Sequence, residues 1–357
     1  YKYNFNNMTI VLKETNLNFG DKYKEHIHDS FIGTKCINNL LEDCPNFTYT
    51  FGFYVVNKKY PVLLNNQHIM NKANTKLNIT SKDLNKNILT YITANKYING
   101  QTFSDYLYNS KNDNNFKFSD YINIMLQIFL SLEIAQRKCG FIHNDLMPWN
   151  IIIKKETNFK NCTYVIGNKT YQIKTKIIPY IIDFGKSNAV YDNIKYGIGI
   201  NVYKDKINRF NDIFMLLSST LNIILDSNIN LSLNDKESLI YLCNFICNTK
   251  FKNEKFNTIN DIIVFFKRYK KYSILSYSNK LDLQYLTPIN YADYIINSSI
   301  IHKDSKHYKI KVMNNFDENM CISNDIHNSD IHLNYKKNEL LIFNEILENF
   351  KKNSEKT

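Results

Sequence analysis

The pattern of apolar and polar positions predicts a chain that begins with strands and continues with helices. Aromatic and β-branched residues cluster over 8–13, 47–56 and 88–93, which is typical of strands. Between the first two clusters, apolar residues at helical spacing over 25–43 predict a helix, and Pro45 is expected to end it. The predicted order in this part of the chain is therefore strand, helix, strand, strand.

The middle of the chain carries mainly helical periodicity. Apolar positions over 119–138 recur every three to four residues, and Gly140 offers an end to that helix. Behind it, an apolar run at 151–153, an alternating stretch over 163–178 and a strand at 179–182 predict a β-rich patch. Further helices are expected over three segments: 210–226, 235–248 and 258–271.

Beyond about residue 300 the composition turns to Asn, Asp, His and Lys. One amphipathic segment, 340–350, precedes a polar end. Such a composition offers little apolar surface to bury, so we expect an appendage or a partly disordered tail.

Composition changes this picture only in part. The 44% hydrophobic content supports a sizeable core. A formal net charge of +12 would suggest an acidic partner such as nucleic acid, but arginine is nearly absent while Lys, Asn, Ile and Tyr occur throughout, a bias that an AT-rich genome imposes. The 26 tyrosines are also spread evenly rather than interleaved with a basic patch. Nucleic-acid binding is therefore not expected as the main role.

The cysteines and the apolar runs bear on the compartment. The seven cysteines have no regular spacing, which argues against a disulfide framework and favours a reducing compartment. Cys243 and Cys247 read as buried thiols rather than a zinc site. With no uninterrupted apolar run of membrane-spanning length and no secretory signal, the sequence predicts a soluble, intracellular, cytoplasmic protein without a membrane partner.

The strongest chemical signal is the segment 140–153, Gly-Phe-Ile-His-Asn-Asp-Leu-Met-Pro-Trp-Asn-Ile-Ile-Ile. It sets Asp145 and Asn150 five residues apart on a loop between a helix and a strand. Phosphoryl transfer needs a carboxylate that orients and deprotonates a hydroxyl, and an amide oxygen nearby can hold a metal on the triphosphate. In 180–185, Tyr-Ile-Ile-Asp-Phe-Gly, a strand delivers Asp183 into a turn, where its carboxylate can bind magnesium.

Together, in this order, the two segments resemble the catalytic loop and the metal-binding loop of the protein kinase superfamily. The resemblance covers about 8–272. It implies an α+β, two-lobed fold in which a nucleotide binds between a β-rich N-terminal lobe and a mainly helical C-terminal lobe. The predicted domains are an N-terminal lobe, a C-terminal lobe and a polar extension: 1–97, 98–299 and 300–357.

The same resemblance assigns roles outside the two loops. Lys13 would contact the α- and β-phosphates of ATP, with Asp29 as its acidic helix partner and Glu25 nearly as good a choice. Backbone groups from Asn95 to Tyr97 would meet the adenine edge. His143 and Asp212 are expected to brace the catalytic loop rather than to exchange protons.

Several positions depart from the family pattern. No Gly-x-Gly-x-x-Gly precedes Lys13, so the phosphate-covering loop is either lost or lies upstream of Tyr1. Asn144 replaces an arginine that pairs with a phosphorylated activation loop, and Met147 replaces a lysine that touches the transferred phosphate. The interval before Asp183 is long enough for an inserted hairpin at 164–175, and no Ala-Pro-Glu follows it. Trp149 is expected to be a packing anchor under the loop.

The resemblance implies ATP-dependent phosphoryl transfer to Ser or Thr hydroxyls of a protein substrate. Asp145 would act as base, and Asn150 and Asp183 would hold Mg²⁺. Two alternatives remain open: a pseudokinase that serves as an interaction module, and a small-molecule kinase of the aminoglycoside or choline type. In these departures the chain is most similar to serine/threonine kinases of large DNA viruses, and its AT-rich composition agrees with such a source. A viral source would locate the protein in the host cytoplasm or the virion.

Overall fold

The computed structural model describes residues 2–5, 8–16, 22–57, 89–112, 116–197, 209–226, 231–247, 255–270, 286–298 and 308–314. Within these ranges the fold is α+β, as the sequence predicts, with seven α-helices and three antiparallel sheets. Strands dominate the beginning of the chain and helices most of the remainder. The domain boundaries inferred from the sequence remain a prediction.

The first sheet has the strand order β1-β2-β4-β3. Its strands are β1 (Lys2–Phe5), β2 (Met8–Asn16), β3 (Thr50–Asn57) and β4 (Leu89–Lys96). The three strands expected from the sequence are confirmed, with bounds shifted by a few residues, and β1 is additional. All the pairings are antiparallel, and Lys13 on β2 stands opposite Thr93 on β4.

The helix expected over 25–43 exists but changes form along its length. It begins as α1 (Lys22–Phe31), continues as a π-helical turn (Ile32–Ile37) and ends as a 3₁₀ turn (Asn38–Leu40), well before Pro45. The Asn38 side chain donates to Thr50 O at 2.8 Å and accepts from Thr50 N at 3.0 Å. Because this side chain bonds to β3, it ends the helix earlier than the proline would.

A second sheet has the strand order β10-β7-β6-β5. It contains the β-rich patch for which the sequence predicts separate strands. β5 (Gln101–Thr102) pairs with the start of β6 (Ile151–Ile166). β6 and β7 (Lys169–Ile181) form one long hairpin that turns at Gly167, where φ is 63°. The hairpin expected as an insertion at 164–175 is therefore the distal half of a continuous strand pair. A small hairpin, β8 (Asn188–Tyr191) with β9 (Ile194–Gly197), follows.

The last strand corrects the expectation for the polar extension. β10 (Tyr308–Asn314) pairs antiparallel with β7 over its whole length, from Tyr308 opposite Thr175 to Asn314 opposite Lys169. These seven residues belong to the second sheet and are not an appendage. The amphipathic segment predicted at 340–350 lies outside the described residues.

The helices pack around one long central helix. This helix (Phe118–Cys139) is buried over nearly its whole length and ends at Gly140, which adopts a left-handed conformation with φ 57°. The helices after α1 are α2 (Phe103–Asn112), α3 (Phe118–Cys139), α4 (Asn211–Asp226), α5 (Leu233–Cys247), α6 (Ile259–Lys270) and α7 (Pro288–Ile296). By length and composition α3 could cross a membrane, but its apolar window is entirely buried within the protein.

α7 is an unpredicted helix that docks onto α3 through a buried carboxylate. Glu133 on α3 accepts from Arg137 Nε at 2.6 Å and from Arg209 Nη2 at 3.0 Å. Its second oxygen accepts from the backbone N–H of Ile289, at the start of α7, at 3.3 Å. Two of the chain's few arginines therefore take part in helix packing, so fewer arginines remain for a binding surface.

The two sheets are joined by a short buried crossing around Asn46. Ile181 N donates to Asn46 O at 2.7 Å, and Thr48 N donates to Ile181 O at 3.2 Å. The Asn46 side chain accepts from Ser131 Oγ and Tyr164 Oη and donates to Pro179 O at 2.8 Å. Because each partner lies on a different element, Asn46 fixes the residues that lead into β3 against the end of β7.

Candidate active site

A cavity of about 820 Å³ lies between the first sheet and the base of the β6–β7 hairpin. β2 and the chain leaving β4 form its walls, and Ile152 and Ile182 contribute apolar surface from the second sheet. Five residues assigned to nucleotide or metal binding from the sequence line it: Lys13, Asp29, Asn95, Tyr97 and Asp183. Its volume is within the range of cavities that hold small-molecule ligands.

An ion cluster joins three of these residues across the cavity. Lys13 Nζ lies 2.8 Å from Asp183 Oδ1 and 3.3 Å from Asp29 Oδ2. The other Asp29 oxygen accepts from the Phe184 backbone N–H at 2.7 Å. Asp29 thus holds both the lysine and the loop that carries Asp183. The alternative partner, Glu25, lies instead against Gly185.

The charged groups in this cluster shift one another's pKa values. Burial opposes the charged form of Lys13, but Asp29 and Asp183 outweigh it and raise the pKa of the lysine. Burial raises the pKa of Asp29 against the opposing effect of Lys13. Partial desolvation favours the neutral form of Asp183, but Lys13 stabilises its carboxylate by charge and by a hydrogen bond, so the pKa of Asp183 is lowered. Asp183 therefore stays ionised at neutral pH.

The loop that carries Asp145 is braced from beneath by Asp212, the second residue of α4. The Asp212 oxygens accept from the backbone N–H groups of His143 at 2.7 Å and Asn144 at 2.8 Å. Asp212 is completely buried, and that burial raises its pKa. Asn144 adopts a left-handed conformation with φ 62°, a strained conformation that the two hydrogen bonds hold in place.

His143 connects this loop to the strand that leads into Asp183. Its Nε2 lies 2.9 Å from Ile182 O, and its Nδ1 lies 3.3 Å from the Asp145 backbone N–H. Since Nδ1 accepts from that N–H, the proton resides on Nε2 and is donated to the carbonyl. Both ring nitrogens are thus occupied in bracing, as the sequence predicts for this residue.

Asp145 and Asn150 face each other across the loop. Asn150 Nδ2 donates to Asp145 O at 2.8 Å, which leaves the amide oxygen as the group with which Asn150 could bind a metal. The Asp145 carboxylate forms an ion pair with Lys186, at 2.8 Å between Oδ2 and Nζ. Sequence reasoning missed this lysine, although it directly follows the Asp-Phe-Gly segment.

Asp183 and Asn150 carry oxygen donors of the kind that magnesium would need. No cluster of three or more His, Cys, Asp or Glu side chains that could hold a metal ion occurs in the described part of the chain. Magnesium does not need such a cluster, because it keeps several waters and binds one or two carboxylates together with substrate phosphates. Asp183 is 42% exposed and lines the cavity, so its carboxylate is accessible to such an ion.

Phe184 is the buried anchor of the loop that carries Asp183. Its ring packs against Phe47, Phe141 and His143, with ring centroids about 6 Å apart. Farther along, Tyr191 and Tyr196 of the β8–β9 hairpin pack against Phe31 at the end of α1. The helix that holds Asp29 is therefore fixed from two sides.

The expected adenine edge is only partly free. Asn95 and Tyr97 line the cavity, but the Tyr97 N–H donates to Thr9 O at 3.0 Å, and Asn95 Oδ1 accepts from Thr50 Oγ1 at 2.9 Å. An adenine could use the Tyr97 N–H only if the bond to Thr9 broke.

The expectation for Trp149 is wrong. Its side chain is 54% exposed beside the Asp145 loop, although we expected it to anchor the loop from below. The flanking residues of the 3₁₀ turn Pro148–Asn150 are buried, and the turn directs the indole outward. The sequence could not distinguish a buried tryptophan under the loop from an exposed one beside it, because the apolar character of the residue is the same in both places.

Comparison with known proteins identifies viral relatives, and no family model matches the chain. Uncharacterized protein 179R of Invertebrate iridescent virus 6 is 31% identical over 308 residues, which cover 80% of this chain and 23% of the relative. Uncharacterized protein 035R of Invertebrate iridescent virus 3 is 31% identical over 56% of this chain and 18% of the relative. "Probable kinase 098L" of the same virus is 28% identical over 52% of this chain and 28% of the relative.

The chain thus spans less than a third of the length of each of these relatives. Their viral source agrees with the resemblance to viral proteins expected from the sequence.

Proposed function

We propose that the chain is a protein-kinase-like phosphotransferase that moves the γ-phosphoryl group of ATP to a Ser or Thr hydroxyl of a protein. The observation that carries this proposal is the convergence of Lys13, Asp29 and Asp183 on one side of a cavity, next to the braced loop of Asp145. The relative named a probable kinase supports phosphotransfer in general.

In the proposed reaction Asp145 accepts the proton of the acceptor hydroxyl. The bond between the γ-phosphorus and the bridging oxygen of ADP breaks with its electron pair on ADP, and a new bond forms to the acceptor oxygen. Lys13, held by Asp29, would bind phosphate oxygens on the nucleotide side. Asp183 and Asn150 would hold magnesium, which supplies positive charge to the phosphate oxygens when bound.

The ionisation of the cluster supports turnover. A lowered pKa keeps Asp183 anionic and a raised pKa keeps Lys13 cationic at neutral pH, which are the charge states that metal and phosphate binding require. Phe184 is packed and the Lys13–Asp29 ion pair is formed in a chain without a phosphorylated activation loop. This agrees with Asn144, which stands where the family has an arginine that pairs with such a loop.

A pseudokinase is the second candidate. It is favoured by the bond from the Tyr97 N–H to Thr9 O, which occupies part of the expected adenine edge. Such a protein would keep the shape and the cavity without turnover.

The test is magnesium-dependent ATP binding and phosphoryl transfer by the full chain, with casein as a general acceptor. Asp145→Ala should lower transfer by about 10²–10⁴-fold with ATP binding retained, because it removes the base. Asp183→Ala should lower transfer and also weaken the magnesium-dependent part of ATP binding. Glu237→Ala, at an exposed position on α5, is the matched control and should match the wild type.

Two results would contradict the proposal. No magnesium-dependent ATP binding by the wild type would exclude the catalytic function. Binding without transfer to casein, to the chain itself or to a small-molecule hydroxyl panel would favour the pseudokinase.

A further inference from the structure

The Lys186 ammonium contacts Asp145, the proposed base. It is 2.8 Å from Asp145 Oδ2, and the pair is accessible to solvent, with 50% of the lysine and 27% of the aspartate side chain exposed. Lys13, in contrast, contacts Asp29 and Asp183. The site therefore has two cations, each paired with a different one of the two carboxylates Asp145 and Asp183.

The backbone at Lys186 is held firmly on both sides. Asn144 Nδ2 donates to Lys186 O at 3.0 Å, and the Ser187 N–H donates to Phe184 O at 3.1 Å. Ser187 O lies 2.6 Å from His28 Nε2 on α1. Because these contacts tie the turn to both loops and to α1, the backbone of Lys186 is preorganised, and the ion pair with Asp145 positions its side chain.

From this geometry we propose that Lys186 is a second phosphate-binding cation, which stabilises the transferred phosphoryl group on the acceptor side. The inference rests on the proposed function. It also explains how the loop can work with Met147 in place of a cation, since the neighbouring loop supplies one from Lys186.

The electrostatics favour this role over a purely structural ion pair. Ion pairs between solvent-accessible side chains contribute little to stability because water screens their charges, so the fold does not depend on this one. When Asp145 takes the acceptor proton, its carboxylate becomes neutral and Lys186 loses its counter-charge. The ammonium is then available to the phosphate oxygens, whose negative charge is spread over the transferred group. A cation fixed beforehand at that point lowers the energy of the transition state.

The ammonium is also charged under the relevant conditions. The hydrogen bond to Asp145, together with the charges of Asp145, Glu25 and Asp183, raises the pKa of Lys186. It therefore keeps its proton throughout the neutral range, and its role should not vary with pH there.

The experiment compares kcat, acceptor KM and Mg²⁺–ATP affinity among full-length variants. Lys186→Met should lower kcat roughly 10²-fold, as expected for the loss of one transition-state contact, and should leave Mg²⁺–ATP affinity within about twofold. Lys186→Arg should recover part of the rate. The double variant Lys186→Met/Met147→Lys should be at least about tenfold faster than Lys186→Met, because it restores a cation from the other loop.

Lys309→Met, at an exposed position on β10, serves as the matched control and should retain the wild-type kcat. Thermal unfolding of each variant separates a folding defect from a catalytic one. A kcat for Lys186→Met that equals or exceeds the wild-type value would overturn the inference, and so would a loss that neither Arg nor the double variant relieves. If the wild type transfers no phosphoryl group to any acceptor, the proposed function itself fails. If the wild type is active and Lys186→Met has the same kcat, the proposed function stands and the role of the lysine fails.

Discussion

The two sides of the proposed reaction centre are built differently. On the nucleotide side, Asp29 is buried and contacts both Lys13 and the backbone that carries Asp183. On the proposed acceptor side, Asp145, Lys186 and Trp149 are partly exposed, and hydrogen bonds to the backbone hold the loops that carry Asp145 and Lys186. One side is fixed by buried side chains and the other by braced loops.

This difference predicts separable effects of substitution. Changes beneath the loops or in the cavity wall should alter the free energy of unfolding, because they expose or create unpaired buried groups. Changes on the acceptor side should leave stability nearly intact and affect turnover alone. Stability measurements can therefore test the comparison without a known substrate.

The largest effect is expected for Asp212→Ala. It would leave the N–H groups of His143 and Asn144 without acceptors, at a cost of roughly 2–6 kcal/mol in the free energy of unfolding, since each buried unsatisfied donor costs about 1–3 kcal/mol. Urea unfolding measures this change. Asp212→Asn, which keeps one acceptor oxygen, should lose less. A loss below about 0.5 kcal/mol for the alanine variant would contradict the bracing role.

An intermediate, pH-dependent effect is expected for Lys96, which lines the cavity beside Tyr97. Burial, aided by Lys154, lowers its pKa from 10.5 to about 8. Between these two values the unfolded chain binds more protons, so stability should rise as the pH rises from 8 towards 10.5. Lys96→Met should remove this dependence and stabilise the protein at pH 7 by on the order of 3 kcal/mol.

The measurement is the difference in the free energy of unfolding between wild type and Lys96→Met from pH 7 to 9.5. The gain in the variant should shrink as the pH rises. A gain that does not change with pH would mean that the lysine is not destabilised by its burial.

The smallest effect is expected for Trp149→Ala. Because the indole is 54% exposed, the free energy of unfolding should change by less than about 0.5 kcal/mol. Phe184→Ala, at a buried ring nearby, is the contrasting variant and should cost about 3–5 kcal/mol. A loss of several kcal/mol for Trp149→Ala would restore the packing role that we first expected and would weaken the comparison between the two sides.

Much of the fold followed from local patterns. The strands around Lys13, the central helix and the helices α4 to α6 were predictable because apolar periodicity reports which face of an element is buried. The meeting of Lys13, Asp29 and Asp183 was predictable only through the family resemblance. Their distances in sequence give no reason for contact by themselves.

The misses have identifiable causes. β10 pairs with a strand more than a hundred residues earlier, so nothing local in 308–314 indicates its partner. α7 did carry a signal, because Thr287 and Asn290 form a capping box and Pro288 stands at the start of the helix. Lys186 could not be chosen among so many lysines until the distance to Asp145 was known.

β10 also limits how the chain can be divided. Because it covers the outer edge of β7, a protein cut at the predicted boundary near residue 300 would leave that edge with a row of free backbone donors and acceptors. Such an edge is a template for strands from other molecules, so self-association would compete with folding. β10 thus protects the sheet whose strand β6 begins directly after the loop of Asp145 and Asn150, so the hairpin that leads into the candidate site also depends on β10 to cover its edge.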